Sequence, residues 1–268
     1  MEYWMCTTCG TQFAQSQEPP QACPICLDQR QYVGHDGQKW TTQHALFSDG
    51  RHNMIQELET GLMGIGTTPS FAIGQRAILV LSGQGTILWD CISFLDDETK
   101  KAVEQLGGID AIAISHPHFY SAMVDWATSF DAQIYVHEAD KQWVMRPSER
   151  IRFWSGETQA LLDDVTLIRL GGHFAGSSVL HWAHGDGRLL TGDTIQVVAD
   201  KHWVSFMYSY PNIIPLPASQ VSRMRDVVAH YDFERLYGGW FPACVGRDAK
   251  NAVIRSADRY IRALEATL

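Results

Sequence analysis

Apolar residues in this chain arrive in short bursts bounded by glycine, proline or charge, and β-signals dominate from Ile55 onward. Ser70–Ile73 (SFAI) precedes Ala77–Leu81 (AILVL); a turn at Gly83-Gln84-Gly85 follows, and Thr86–Asp90 (TILWD) returns. Aliphatic runs joined through a glycine turn predict antiparallel hairpins. Residues 97–106 (DETKKAVEQL) predict a helix, with an acidic first turn, apolar Val103 and Leu106, and a stop at Gly107-Gly108. Ile109–Ile114 (IDAIAI) is apolar at five of six positions, the pattern of a strand buried on both faces. Further strands are predicted at Gln133–Val136, Val165–Gly172 and Arg188–Gly192, and helices at 121–130, 138–145, 219–230 and 248–268. In the last helix Val253, Ala257, Ile261 and Leu264 share one stripe, which predicts core packing. Hairpins first and strand–helix alternation later give a mixed α/β (α+β) class.

The beginning of the chain breaks this pattern. Cys6-Thr7-Thr8-Cys9 and Cys23-Pro24-Ile25-Cys26 form two CxxC turns around a polar segment too poor in apolar residues to build a core. Each CxxC can present both sulfurs to one tetrahedral metal. So short a piece needs a staple, and in a reducing compartment metal is favoured over disulfides. The array resembles a zinc ribbon or rubredoxin-like knuckle pair. It implies a structural zinc on Cys6, Cys9, Cys23 and Cys26, with iron as the alternative in the same cage. The expected division is a module over 1–40 and a main domain over 41–268. His35, His44 and His52 are expected in surface or backbone-bonded roles, and Cys91 and Cys244 as inert buried thiols.

Three predicted strands deliver four potential ligands just past their ends. Ile109–Ile114 runs into Ser115-His116-Pro117-His118, where Pro117 ends the ladder and two histidines one residue apart face one way. His173 follows Gly171-Gly172, and Asp193 follows Gly192. One such residue is ordinarily satisfied by backbone; four arriving alike are not explained by packing. Their order and spacing resemble the metallo-β-lactamase superfamily over roughly residues 55–245. That resemblance implies an αββα sandwich, two packed sheets with helices outside. Carried over, it implies one metal site built from His116, His118 and His173, with Asp193 in the position normally shared by two metals. The chain departs from the family where Tyr120-Ser121 replace Asp-His, and where Gly239-Trp240 stand in place of a late histidine. One metal is therefore expected rather than two. His137 ends a strand but is not a ligand position of the family, and Asp90 is a candidate to orient a ligand histidine.

Three imidazoles leave zinc an open position, the arrangement of a catalytic site. Asp193 is then either a ligand or the general base, Tyr120 a candidate oxyanion donor and Ser121 a candidate substrate contact. Trp240, Phe206 and Tyr208 are candidates for an aromatic substrate wall, and the aromatics of 203–210 equally suit core packing or a homodimer surface. Pro211, Pro215 and Pro217 speak against regular structure there. The leading expectation is a metal-dependent hydrolase acting on an ester, thioester or amide of a small molecule. The alternatives are a non-catalytic metal- or ligand-binding protein, and an iron-dependent redox protein. A formal charge of −9 disfavours nucleic acid and anionic membranes as partners. The opening MEYWMC lacks the basic head and apolar core of a secretory signal, and no apolar run is long enough to span a bilayer, so a cytoplasmic protein is expected.

Overall fold

The structure is a computed structural model that describes residues 1–266. Seven strands form one sheet in the spatial order His52–Glu59, Leu62–Thr68, Arg76–Ser82, Gly85–Trp89, Ala111–Ala113, Gln133–His137 and Ile151–Trp154. The first four pair antiparallel and the rest join in parallel. Six strands form the second sheet: Thr158–Leu162, Val165–Arg169, Ser178–Trp182, Arg188–Gly192, Arg235–Gly238 and Cys244–Val245. Its one parallel pair, Arg188–Gly192 with Arg235–Gly238, is reached through a crossover that contains the helix Ala218–Val228.

Period-two alternation explains why both faces of both sheets are apolar. Ile78, Val80, Ile87 and Trp89 point inward to meet Leu167, Leu180, Leu190 and Tyr237 of the other sheet. Their neighbours Ala77, Leu79 and Leu88 turn outward to pack with Val103 and Trp126 of the helices Asp97–Gln105 and Met123–Ser129. On the opposite side, Ile168, Val179, Leu189 and Leu236 pack with Val221, Met224 and Val253 of Ala218–Val228 and Ala249–Leu264. The result is the αββα sandwich. At one end a single carboxylate fastens the sheets together. Glu59 accepts from Arg188 Nε and Nη2, from Arg235 Nη1 and from the Tyr237 hydroxyl, all at 2.8–3.0 Å.

Several expected elements move. Ser70–Ile73 is a turn, not a strand, and the first hairpin is His52–Glu59 with Leu62–Thr68, whose outer strand is an edge with weak apolar patterning. The helix expected over 138–145 is a 3-10 segment, Glu138–Trp143, and Ile151–Trp154 and Thr158–Leu162 are additional strands. Residues 194–217 form two short hairpins, Gln196–Val197 with Val204–Ser205 and Met207–Ser209 with Ile214–Pro215. Pro215 is tolerated there because the pair is short and lies outside both main sheets. The last helix is Ala249–Leu264; positions 267 and 268 of its expected range lie outside the described residues. His181 is buried, with Nε2 bonded to the Asp232 carbonyl at 2.8 Å. Among the described residues no helix is long and apolar enough to cross a membrane.

The N-terminal residues close on themselves where Met5–Cys6 pairs with Trp40–Thr41. Their small core is Cys6, Cys9, Phe13, Cys23, Ile25 and Cys26, with Phe13 edge-on to Trp40 at 4.9 Å. They dock on the sandwich through Gly10 and Gln12. The Gly10 carbonyl accepts from Ser93 Oγ at 2.9 Å, and Gln12 N donates to the Ser121 carbonyl at 3.0 Å. Gly10 has φ +80°, and a Cβ there would lie 2.3 Å from Ser93 Oγ, so conformation and contact both require glycine.

Candidate metal centres

Two clusters offer ligand atoms that lie, within each cluster, no more than 4.8 Å apart: Cys6, Cys9, Cys23 and Cys26, and His116, His118, His173 and Asp193. The cysteines are free thiols. Cys6 and Cys26 sulfurs are 3.5 Å apart, and those of Cys9 and Cys23 3.7 Å. A tetrahedral zinc with Zn–S of about 2.3 Å sets its sulfurs roughly 3.8 Å apart, so the cage has the size of a tetrathiolate site. Sharing of hydrogen bonds, above all with Cys23, drives Cys6 well below the ordinary thiol range and Cys9 and Cys26 well above it. Four buried sulfurs at this spacing cannot each keep a comfortable proton. A cation removes the conflict.

The second cluster draws on both sheets. His116 and His118 follow the Ala111–Ala113 strand, where Pro117–Phe119 makes a 3-10 turn that brings both rings inward. His173 follows Val165–Arg169, and Asp193 follows Arg188–Gly192 of the other sheet. All four are buried, at 1–5% exposure. His118 Nδ1 and His173 Nε2 are 3.1 Å apart, and His116 Nε2 is 3.6 Å from Asp193 Oδ2. Zinc–nitrogen bonds of about 2.0–2.1 Å imply a donor spacing of roughly 3.3 Å, which these distances bracket.

Outer partners fix the rings. His173 Nδ1 lies 2.8 Å from the Tyr208 carbonyl, which can only accept, so this nitrogen carries the proton and Nε2 keeps its lone pair. Ser115 Oγ meets His116 Nδ1 at 2.8 Å, and Asp90 accepts from Ser115 N at 2.8 Å, so Asp90 orients His116 through its neighbour. Burial, with help from the Arg30 charge, lowers His116 to about 3; burial and then the His116 charge lower His173 to about 3. Burial also pulls His118 well down and raises Asp193 to about 6. At neutral pH the site thus presents three uncharged imidazoles. His116 Nε2, His118 Nε2 and Asp193 Oδ1 are buried without a hydrogen-bond partner. Buried polar atoms are rarely left so, and a bound cation accounts for those facing inward. The donor set fits zinc or another first-row metal.

The remaining expected site residues part company. Tyr120 is buried with its hydroxyl donated to the Asp140 carbonyl at 3.2 Å, so its proton is spent away from the centre. Ser121, at φ +42°, turns toward the cysteine module: its hydroxyl accepts from Gln75 Nε2 at 2.8 Å and its carbonyl from Gln12. Phe206 lies in the core, edge-on to Tyr260, and is no substrate wall. Tyr208 contributes its carbonyl to His173. The half-buried Trp240 donates from its indole to the Ile73 carbonyl at 3.0 Å, with its ring 6.0 Å from Phe119. His137 is bonded to Ala139 N and the Gly156 carbonyl, and stands outside both clusters.

Further residues complete the surroundings, Phe119 and Arg30 among them without any signal in the sequence. Phe119 packs 4.6 Å from the His116 ring, and a Cβ on Gly239 would lie 2.8 Å from Phe119 Cζ and 4.0 Å from Asp193 Oδ1. An aromatic ring therefore fills the space beside Asp193 where a side chain at 239 would enter. Arg30 reaches from the module to the His173 carbonyl at 3.1 Å. Tyr210 donates its hydroxyl to the Asp193 carbonyl at 2.8 Å. A surface cleft of about 660 Å³, lined by Asp186, Arg235, Arg247 and Lys250 among others, lies past the opposite end of the Arg188–Gly192 strand.

No family model matches the chain. It is 51% identical to "Uncharacterized protein YmaE" of Bacillus subtilis (strain 168) over 272 residues, covering 100% of this chain and 99% of that protein. Solved structures with a similar fold include VMB-1, at TM-score 0.60 and 14% identity, covering 80% of this chain and 98% of that one. DIM-1 metallo-beta-lactamase matches at TM-score 0.59 and 15% identity, over 78% of this chain and 98% of its own. The metallo-beta-lactamase FIM-1 from Pseudomonas aeruginosa, in its mono-zinc form, matches at 0.58 and 14%, over 78% and 96%. The chain belongs to the family of Bacillus subtilis YmaE and is built on the metallo-β-lactamase fold, with a four-cysteine cluster of zinc-ribbon type at its N-terminus.

Proposed function

We propose that this protein is a metal-dependent hydrolase with a single metal at the His/Asp centre and a structural metal in the cysteine module. Its substrate on this reading is an ester, thioester or amide of a small molecule. The observation that carries the proposal is the convergence of four buried donors, three neutral imidazoles and a carboxylate, with inward-facing atoms left unpartnered. His116, His118 and His173 hold the metal, and Cys6, Cys9, Cys23 and Cys26 the structural one. Zinc, when bound, supplies Lewis acidity that polarises a substrate oxygen and acidifies water to a pKa of about 7. Asp193, whose Oδ2 lies 3.6 Å from His116 Nε2, takes the proton that water releases as it attacks. Phe119 and Gly239 favour one metal, and FIM-1 provides a mono-zinc precedent on this fold.

A second reading, a protein that holds metal without turnover, is favoured by one observation: the four donors are almost sealed from solvent. One experiment separates the two. Element-resolved metal content is measured for the full chain and for His116→Ala/His118→Ala, beside hydrolysis of activated esters. The hydrolase reading expects two metal ions falling to one in the variant, and turnover that disappears with chelation and returns with zinc. Metal loss without any turnover by the intact chain would leave the second reading. Iron in place of zinc would favour redox chemistry.

A further inference from the structure

The cover over the His/Asp centre is contributed partly by the cysteine module. Arg30 stands four residues beyond Cys26, and Asp28 grips its guanidinium through Nε at 2.5 Å and Nη2 at 2.8 Å. The remaining edge donates from Nη1 to the carbonyl of the ligand His173. Its face lies 3.8 Å above the Phe174 ring, within 5.4 Å of Tyr208 and 5.3 Å of Trp143. Phe174 in turn sits edge-on to His118 at 4.9 Å. Arginine, phenylalanine and histidine are thus stacked in one column from the module down to the metal ligands.

A second connection meets the module from the other side. In the hairpin Met207–Ser209 with Ile214–Pro215, the Tyr208 carbonyl holds His173 and the Tyr210 hydroxyl holds the Asp193 backbone. At its tip, Asn212 donates to the carbonyls of Gln29 and Gln31 at 2.9 and 3.1 Å. One hairpin therefore touches two ligands of the centre and the module together. Its contacts with residues 29–31 are the two Asn212 hydrogen bonds and the Tyr208 ring against Arg30, while Trp143 and Met145 of the sandwich pack on the module's cysteine core from another side.

We propose that the segment 28–33, carried by the cysteine module, is a lid on the His/Asp centre, latched by Arg30 and Asn212, and that small molecules reach the centre only when residues 28–33 lift. The tetrathiolate metal keeps the lid in shape, so occupancy of one metal site governs access to the other. This inference rests on the reading that the His/Asp cluster binds metal.

The test uses the full chain loaded with cobalt(II), whose thiolate and imidazole environments absorb differently. Release from each site to an added chelator is followed for the native chain and for Arg30→Ala/Asn212→Ala. The lid expects release from the His/Asp site at least tenfold faster in the variant, with the thiolate signal unchanged. Equal rates would overturn it. A variant that also loses its thiolate signal has lost the module's fold, and backbone hydrogen exchange of the native chain then decides. Residues 28–33 should exchange through openings that leave the sandwich protected; exchange of this segment only together with the sandwich core would overturn the lid. Cobalt that never enters the His/Asp site would sink the metal-centre reading, and the same hydrogen-exchange measurement would still judge the lid.

Discussion

The two clusters solve the same problem at different ranges along the chain. The four cysteines lie within 21 consecutive residues, Cys6 to Cys26, and two short turns suffice to gather them. The His/Asp donors span residues 116–193, and they meet only because three strand ends of a completed sandwich point at one place. The cysteine cage is closed, with all four positions of a tetrahedral ion filled by the chain. The other, on the proposed hydrolase reading with Asp193 as base, leaves a position for chemistry. Local assembly gives a self-contained staple. Assembly across a fold gives a site whose shape depends on everything packed behind it.

The largest test of that contrast is removal of the cage. Cys23→Ser/Cys26→Ser should cost the module its metal and its order while the sandwich keeps its far-ultraviolet circular dichroism, because metal binding supplies on the order of 10 kcal/mol to such modules. Cooperative collapse of the whole chain in the same spectra would show that the contrast is false. Phe119→Ala probes the other side. This ring packs on His116 beside Gly239 and Trp240, and its loss should destabilise the chain by about 3–5 kcal/mol in denaturant titrations. It should also weaken metal binding at the His/Asp centre while leaving the cysteine site unchanged. Equal affinity at the His/Asp centre would separate that site from its packing.

The smallest effect is expected inside the sandwich, where the segment after the Gln133–His137 strand meets the loop after Val165–Arg169. Asp140 accepts from Gly176 N at 2.9 Å, and burial raises its carboxyl to about 6 from an ordinary 3.8. A carboxyl raised by folding binds its proton more tightly in the native state, so stability falls as pH rises from about 4 to about 6 and is level above. Asp140→Asn should remove that slope, worth at most about 3 kcal/mol, in unfolding titrations between pH 4 and 7. An unchanged slope would assign it to other groups.

The same difference in range decides what can be read from the letters. CxxC spacing is a local signal, and the cysteine cluster is legible from it. Strand ends marked by glycine or proline are nearly as clear, which is why His116, His118, His173 and Asp193 stand out in the sequence alone. The directions of Tyr120 and Ser121 are not legible, because adjacency in sequence does not fix where a side chain points. The 3-10 turn at Pro117–Phe119 and the positive φ of Ser121 send those two side chains away from the ligands beside them. Arg30 carries no sequence signal at all: it looks like one more charge in a polar connector, and only docking of the module gives it His173 and Phe174. The first hairpin escapes the apolar pattern because its outer strand, His52–Glu59, is a sheet edge with much of its surface exposed.

Because the ligands come from both sheets, a metal bound between His118 and His173 would also be a covalent-like cross-link within the chain. The loop it closes is 55 residues long, from 118 to 173. By analogy with a disulfide, tying such a loop removes enough disorder from the unfolded chain to be worth about 4 kcal/mol. The opposite end of the sandwich already has its fastening in Glu59, Arg188, Arg235 and Tyr237. With an ion in place the two sheets would be pinned at both ends, and the candidate metal centre would double as the second rivet.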